Sequence, residues 1–165
     1  MTSSGWRGAI ALLVAVAALA VVNFSIAGKE RLLAEGRVVF LELAPVDPRS
    51  LMQGDYMALR FAAAVAAFGG GRTETQTADG HLVLRLDGRG VGEFARFDDG
   101  SSLAADEVRM RYRVRAGRPK FGTNAFFFEE GTADRYAPAQ YGELRVDAEG
   151  EAILTGLRDR DLRPL

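Results

Sequence analysis

Val108-Arg109-Met110-Arg111-Tyr112-Arg113-Val114-Arg115 alternates apolar and cationic side chains over eight consecutive positions. Successive side chains of a β-strand point to opposite faces, so this period of two places Val108, Met110, Tyr112 and Val114 against a core. The same geometry puts Arg109, Arg111, Arg113 and Arg115 on the other face, about 6.8 Å apart. A helix would scatter both sets around its axis. The stretch is therefore a strand of a sheet with one buried face.

Working outward, the same kind of segment recurs. Leu82, Leu84 and Leu86 share one face of a strand that turns at Asp87-Gly88-Arg89-Gly90 and returns from Val91 to Phe97, a hairpin pattern. Phe121 to Phe128 reads as an aromatic strand. Glu143 to Val146 and Ala152 to Leu157 flank the turn Asp147-Ala148-Glu149-Gly150 as a second hairpin. Upstream, Val38 to Leu43 is rich in β-branched and aromatic residues. Pro45 to Ser50 then stops it, and Tyr56 to Phe61 alternates again. Ala62 to Ala67 satisfies two readings, because alanine favours helix while its neighbours favour an extended run. Tyr136 to Gln140 is a turn or short helical piece, and Gly69 to Gly80 is a Gly/Thr-rich loop. Seven or more short strands with close turns predict a mostly β chain, its domain an antiparallel β-sandwich or barrel-like fold.

The N-terminus obeys different rules. From Ile10 to Val22 no polar side chain occurs, and Asn23 and Ser25 are the only interruptions before Ala27. Residues 8–27 are long enough, at about 1.5 Å per helical residue, to cross a hydrocarbon core of about 30 Å. Trp6, Arg7, Lys29 and Arg31 suit the flanking headgroup zones. The run exceeds the hydrophobic stretch usual in a cleaved signal peptide, although Ser25-Ile26-Ala27 has the small residues a signal peptidase accepts. The division is thus a transmembrane signal-anchor helix at 8–27, a charged, helix-compatible linker at 28–36 and a β-rich domain at 37–165. The flanking cations oppose export, but long domains translocate largely regardless of charge. The expected location is an inner membrane, crossed once, with the domain on the periplasmic or extracellular side.

Composition limits the chemistry. The 165 residues carry a net charge of -1, which offers no global field for nucleic acid. There are no cysteines and one histidine, His81, which removes thiolate catalysis, cysteine metal sites and histidine-rich metal centres. No cofactor is expected. The arginine row suits phosphates, lipid headgroups or an acidic partner; against this stands a solvated face whose arginines pair with residues such as Glu143 or Glu151. Ser50 and Lys120 would form a Ser/Lys dyad only if a turn brought them together and desolvated the lysine, whereas both read as exposed loop residues. Asp98-Asp99, Glu129-Glu130 and Asp159/Asp161 read as solvated turns.

Gly54-Asp55-Tyr56-Met57-Ala58-Leu59-Arg60-Phe61 resembles the bacterial family named for its GDYXXLXY motif, membrane-anchored proteins without an assigned activity. Gly54, Asp55, Tyr56 and Leu59 match, and Phe61 replaces the final tyrosine. The resemblance extends through Pro45 to Ser50, Phe127-Phe128-Glu129-Glu130-Gly131 and Tyr141 to Asp147, and so over most of the chain. Physically, Gly54 permits a tight turn, Asp55 accepts from turn amides, and Tyr56 and Leu59 start a strand on opposite faces. The motif is then architectural, or Asp55 and Tyr56 form a site with Glu130, or the strand is a partner-binding edge. Family members are similar to proteins encoded beside multi-pass membrane proteins, which implies a membrane complex. The leading expectation is a non-enzymatic accessory or interaction subunit held to the lipid bilayer beside a multi-pass partner. The alternative is an envelope membrane-bound hydrolase or ligand-binding domain.

Overall fold

The computed structural model describes residues 3–44, 56–69, 78–115, 118–123 and 125–165. The chain divides into two units, Met1–Glu35 and Gly36–Leu165. The first contains one helix, α1 (Ser3–Glu35), whose stretch Trp6–Glu35 is long and apolar enough to cross a membrane. The helix does not end with the apolar run. It continues through the charged residues 28–35, where Glu, Lys, Arg, Leu and Ala are good helix formers, so the linker is the last two turns of the helix.

In the second unit the described residues form nine strands in three antiparallel sheets. β1 (Arg37–Glu42), β8 (Tyr141–Val146) and β9 (Ala152–Arg158) make one sheet, in the order β1-β8-β9. β3 (Gly80–Leu86), β4 (Gly92–Phe97), β5 (Glu107–Arg115) and β6 (Arg118–Lys120) make a second, in the order β4-β3-β5-β6. β2 (Tyr56–Ala58) pairs with β7 (Ala125–Phe127) in the third. Two short helices complete the unit, α2 (Ala62–Phe68) and α3 (Ala133–Tyr136).

Among the described residues no barrel closes, but the two larger sheets are joined at their hairpin tips. The Phe40 amide donates to the Gly90 carbonyl at 3.0 Å, and the Arg111 amide to the Gly150 carbonyl at 2.7 Å. Each hairpin therefore lays its tip on a strand of the other sheet. One core lies between them, drawing Leu41 and Val39 from β1, Leu82 and Leu84 from β3, Met110 and Tyr112 from β5, and Leu144 from β8. The alternation read from β5 holds: Met110 and Tyr112 are buried and Arg113 and Arg115 exposed.

One segment resolves an open reading and two differ from the expectation. Ala62–Phe68 is helical: its first turn closes on Phe61, whose carbonyl accepts from the Ala64 and Val65 amides, and it buries Ala63, Ala67 and Phe68. Phe68 packs edge-on against Phe97 and Tyr112, at 5.5 and 5.0 Å between ring centres, so aromatic packing reinforces the alanine propensity. Among the described residues of the aromatic segment 121–128 the strand is Ala125–Phe127, and Phe121 is buried before it beside the Phe61 ring. Finally, Lys120 lies in strand β6, in register with Arg113, rather than in a loop.

Candidate functional site

The residues singled out in the sequence fall into two groups. Around the family-like motif, Tyr56 opens β2, where it faces Phe127 of β7, with ring centres 5.8 Å apart. Met57, Leu59 and Phe61 point inward and are buried, while Ala58 and Arg60 are exposed, so alternation persists after the strand's hydrogen bonds end. The segment is tied to the first sheet by a Leu43–Phe61 bridge and by the Ala44 amide donating to the Arg60 carbonyl at 2.7 Å. Phe61 sits 2% exposed against Phe121 and Gly142. Its ring occupies the position of the motif's last tyrosine without bringing a hydroxyl into the core. Gly54, Asp55 and Ser50 lie outside the described residues.

Glu130 is exposed in the turn that follows β7. Beside that turn, Tyr136 of α3 packs between Phe126 and Phe128, at 5.0 and 5.4 Å from their ring centres. Phe127 points the other way and is 74% exposed, the most exposed large apolar residue of the β domain among the described residues. The sequence signal for it was its place between two inward-facing phenylalanines. Lys120 is exposed, so its amine lacks the desolvation that a base in a Ser/Lys dyad requires.

The arginine row forms the second group, and carboxylates of the same domain neutralise it. Arg109 Nε meets Asp98 Oδ2 at 2.7 Å, Arg111 pairs closely with Glu151, Arg113 reaches the same carboxylate at 3.3 Å, and Arg115 meets Asp79 at 2.8 Å. Glu143, one of the expected partners, instead pairs with Arg158 on its own sheet and accepts from the Thr155 hydroxyl at 3.0 Å. Burial opposes ionisation of Asp98, but the Arg109 hydrogen bond, the Gly100 amide and the Arg109 charge outweigh it and hold its pKa below the usual carboxylate value. Glu151 behaves likewise: burial raises its pKa and Arg111 and Arg113 bring it down. Asp79 is held low first by its Arg115 hydrogen bond and then by the Val114 amide.

These pairs fasten three separate segments to β5: the loop after β4 through Asp98, the tip of the β8–β9 hairpin through Glu151, and the lead-in to β3 through Asp79. His81 lies in register with Arg111 on this face, beneath Gly150. Among the described residues no group of three or more His, Asp or Glu is placed to hold a metal ion.

No curated protein and no solved structure matches the chain. The family model described as GDYXXLXY protein matches residues 18–157, from within the apolar helix to β9. That span takes in the motif strand, the Phe127–Glu130 turn and both hairpins, and the chain accordingly belongs to the GDYXXLXY family.

Proposed function

We propose that this protein is a non-enzymatic accessory subunit, held in a bacterial inner membrane by α1, whose β domain recognises a multi-pass membrane protein from the extracytoplasmic side. The observation that carries this reading is the exposure of Phe127 directly beside the motif residue Tyr56. An aromatic left in solvent next to a packed tyrosine is the kind of anchor that protein interfaces bury. The other conspicuous surface, the arginine row, is already committed to internal ion pairs, which argues against a dedicated anion site. Confinement by the apolar helix raises the effective concentration of any neighbour in the same bilayer, so a small contact suffices.

Affinity purification from detergent tests the proposal. The intact protein is expected to retain a multi-pass membrane protein, and Phe127→Asp to lose it while remaining folded and membrane-bound. Failure to retain any such chain in several mild detergents would overturn the reading. A reporter fused after Leu165 tests sidedness, and a cytoplasmic signal would reverse the placement.

A further inference from the structure

The apolar helix carries a face that lipid alone does not explain. Asn23 is the only carboxamide between Gly8 and Ala27, and it points outward. Its Nδ2 donates to the Leu19 carbonyl one turn back at 2.8 Å, which uses one of its two N–H groups. One N–H and the Oδ1 remain, and in hydrocarbon such groups favour a hydrogen-bonding partner. Leu12, Val16, Leu19, Asn23 and Ile26 follow one another at spacings of four, three, four and three, all exposed. That is the seam of a left-handed two-helix coil, with Val16 and Asn23 at one alternating position and Leu12, Leu19 and Ile26 at the other. Apolar residues surround the whole helix, so the spacing by itself selects no face; Asn23 restricts the choice to stripes that pass through it, and an asparagine at the a-type position sets Leu12, Leu19 and Ile26 at d.

We infer that α1 self-associates in the bilayer as a parallel two-helix pair, with Asn23 of each copy hydrogen-bonded to Asn23 of the other. A second copy is the occupant because a parallel two-fold pair brings the same residue to the same depth, and a carboxamide with one free donor and one free acceptor complements itself. The seam continues past the apolar run. At Glu30 the same register sets like charges at one depth, and Lys29 of each copy flanks them and offsets the repulsion. Leu33 follows on the same stripe, still 45% exposed, beyond the apolar run where lipid no longer dictates an apolar side chain.

The inference rests on the proposal that α1 is a membrane anchor, and one experiment separates the two. The chain contains no cysteine, so single substitutions report without background. Val16→Cys, Leu19→Cys and Ile26→Cys on the seam, and Val14→Cys, Ala17→Cys and Val21→Cys off it, are expressed in the full chain and oxidised in isolated native membranes. Seam positions are expected to give disulfide-linked dimers and the others to remain monomeric. Adding Asn23→Val to a seam variant is expected to lower the association constant about threefold for each of the two interhelical hydrogen bonds lost, and the dimer fraction with it. A protein found in the membrane fraction without dimers, or with dimers at every position, overturns the self-association alone. A protein released into the soluble fraction overturns the anchor and the inference with it.

Discussion

The Arg111 amide donates to the Gly150 carbonyl at 2.7 Å, which docks the tip of the β8–β9 hairpin on the strand that carries the arginine row. Gly150 has φ +86°, and a Cβ built there would lie 3.1 Å from the Arg111 nitrogen and 3.2 Å from the Arg109 carbonyl oxygen. Both a left-handed backbone and a backbone-lined approach therefore call for glycine. Gly150→Ala is expected to destabilise the protein by about 1–3 kcal/mol. Gly90 has a similar φ of +82°, but its nearest neighbour, a Phe40 ring carbon, is 3.6 Å away. Gly90→Ala should cost only the backbone strain, about 1 kcal/mol. Urea denaturation of both variants checks the order.

The same turn occurs a third time with a different residue at its strained position. In Asp159 to Arg163, as in Asp87 to Val91, the first aspartate accepts two later amides through Oδ1, and the fourth residue's amide donates to the aspartate carbonyl. The fourth residue here is Leu162, at φ 61°. Left-handed backbone costs an L-residue with a branched side chain about 1–2 kcal/mol. Leu162→Gly is expected to raise stability by about 0.5–1 kcal/mol, since relief of that strain outweighs the packing of a half-buried side chain. A lower thermal midpoint for the glycine variant would show that burial of Leu162 outweighs its strain.

Acid should loosen the outer face of the second sheet first. Asp98 and Glu151 have folded pKa values below their ordinary ones despite opposing burial, and Asp79 is lowered by Arg115. A carboxylate with a depressed folded pKa binds its proton more readily in the unfolded chain. Its contribution is therefore complete above the unfolded value, about pH 4, and is lost as pH falls through the folded value. Stability should be flat from pH 7 to about pH 5 and decline below about pH 4. Asp98→Asn should lower the plateau and make the decline shallower, read as the denaturation midpoint against pH.

Charge reversal distinguishes a structural row from a recognition surface. Arg111→Glu places a new negative charge beside Glu151, which is already shared with Arg113, and removes the closest pair holding the hairpin tip. A loss of about 1–3 kcal/mol is expected, because the partner carboxylate is left partly buried and poorly paired. Arg115→Glu, at the exposed end of the row, should cost about 1 kcal/mol or less. Recovery of a membrane partner per folded molecule should be unchanged in both. Selective loss of that partner in the more stable variant would assign the row to binding.

How much of this was legible before folding follows from the range of each interaction. The alternation of Val108 to Arg115 and the Asp87 and Asp147 turns are local patterns, and the structure keeps them. The helix at Ala62–Phe68 was ambiguous because Phe61 on one side and Phe68 on the other belong to the core by packing that the local sequence does not encode. Asp79 as the partner of Arg115 was invisible, since the two are 36 residues apart and meet only once β3 pairs with β5. Glu143 failed as a partner for the row because it belongs to the other sheet, where Arg158 reaches it across the β8–β9 pair. The sequence marks 121–128 as aromatic and sets Tyr56 opposite Leu59 without saying which side faces out, and the short β2–β7 pairing reveals it.

The motif's last position gives the sharpest test of its architectural role. Phe61 lies against Gly142 of β8 so closely that an added Cβ would come within 2.9 Å of the ring and 3.1 Å of Leu154 Cδ1. Gly142→Ala should therefore overpack the junction and cost about 1–3 kcal/mol. Phe61→Leu removes the ring from that junction and leaves a void beside Phe121, costing about 1–3 kcal/mol by itself. If the two residues are coupled as the distances require, the double variant loses less than the sum of the singles, because the alanine methyl enters space the ring has vacated. A coupling of about 1 kcal/mol in that direction is expected from denaturation of all four proteins. Strict additivity would mean that the motif strand is not held by this junction, and its architectural reading would fail.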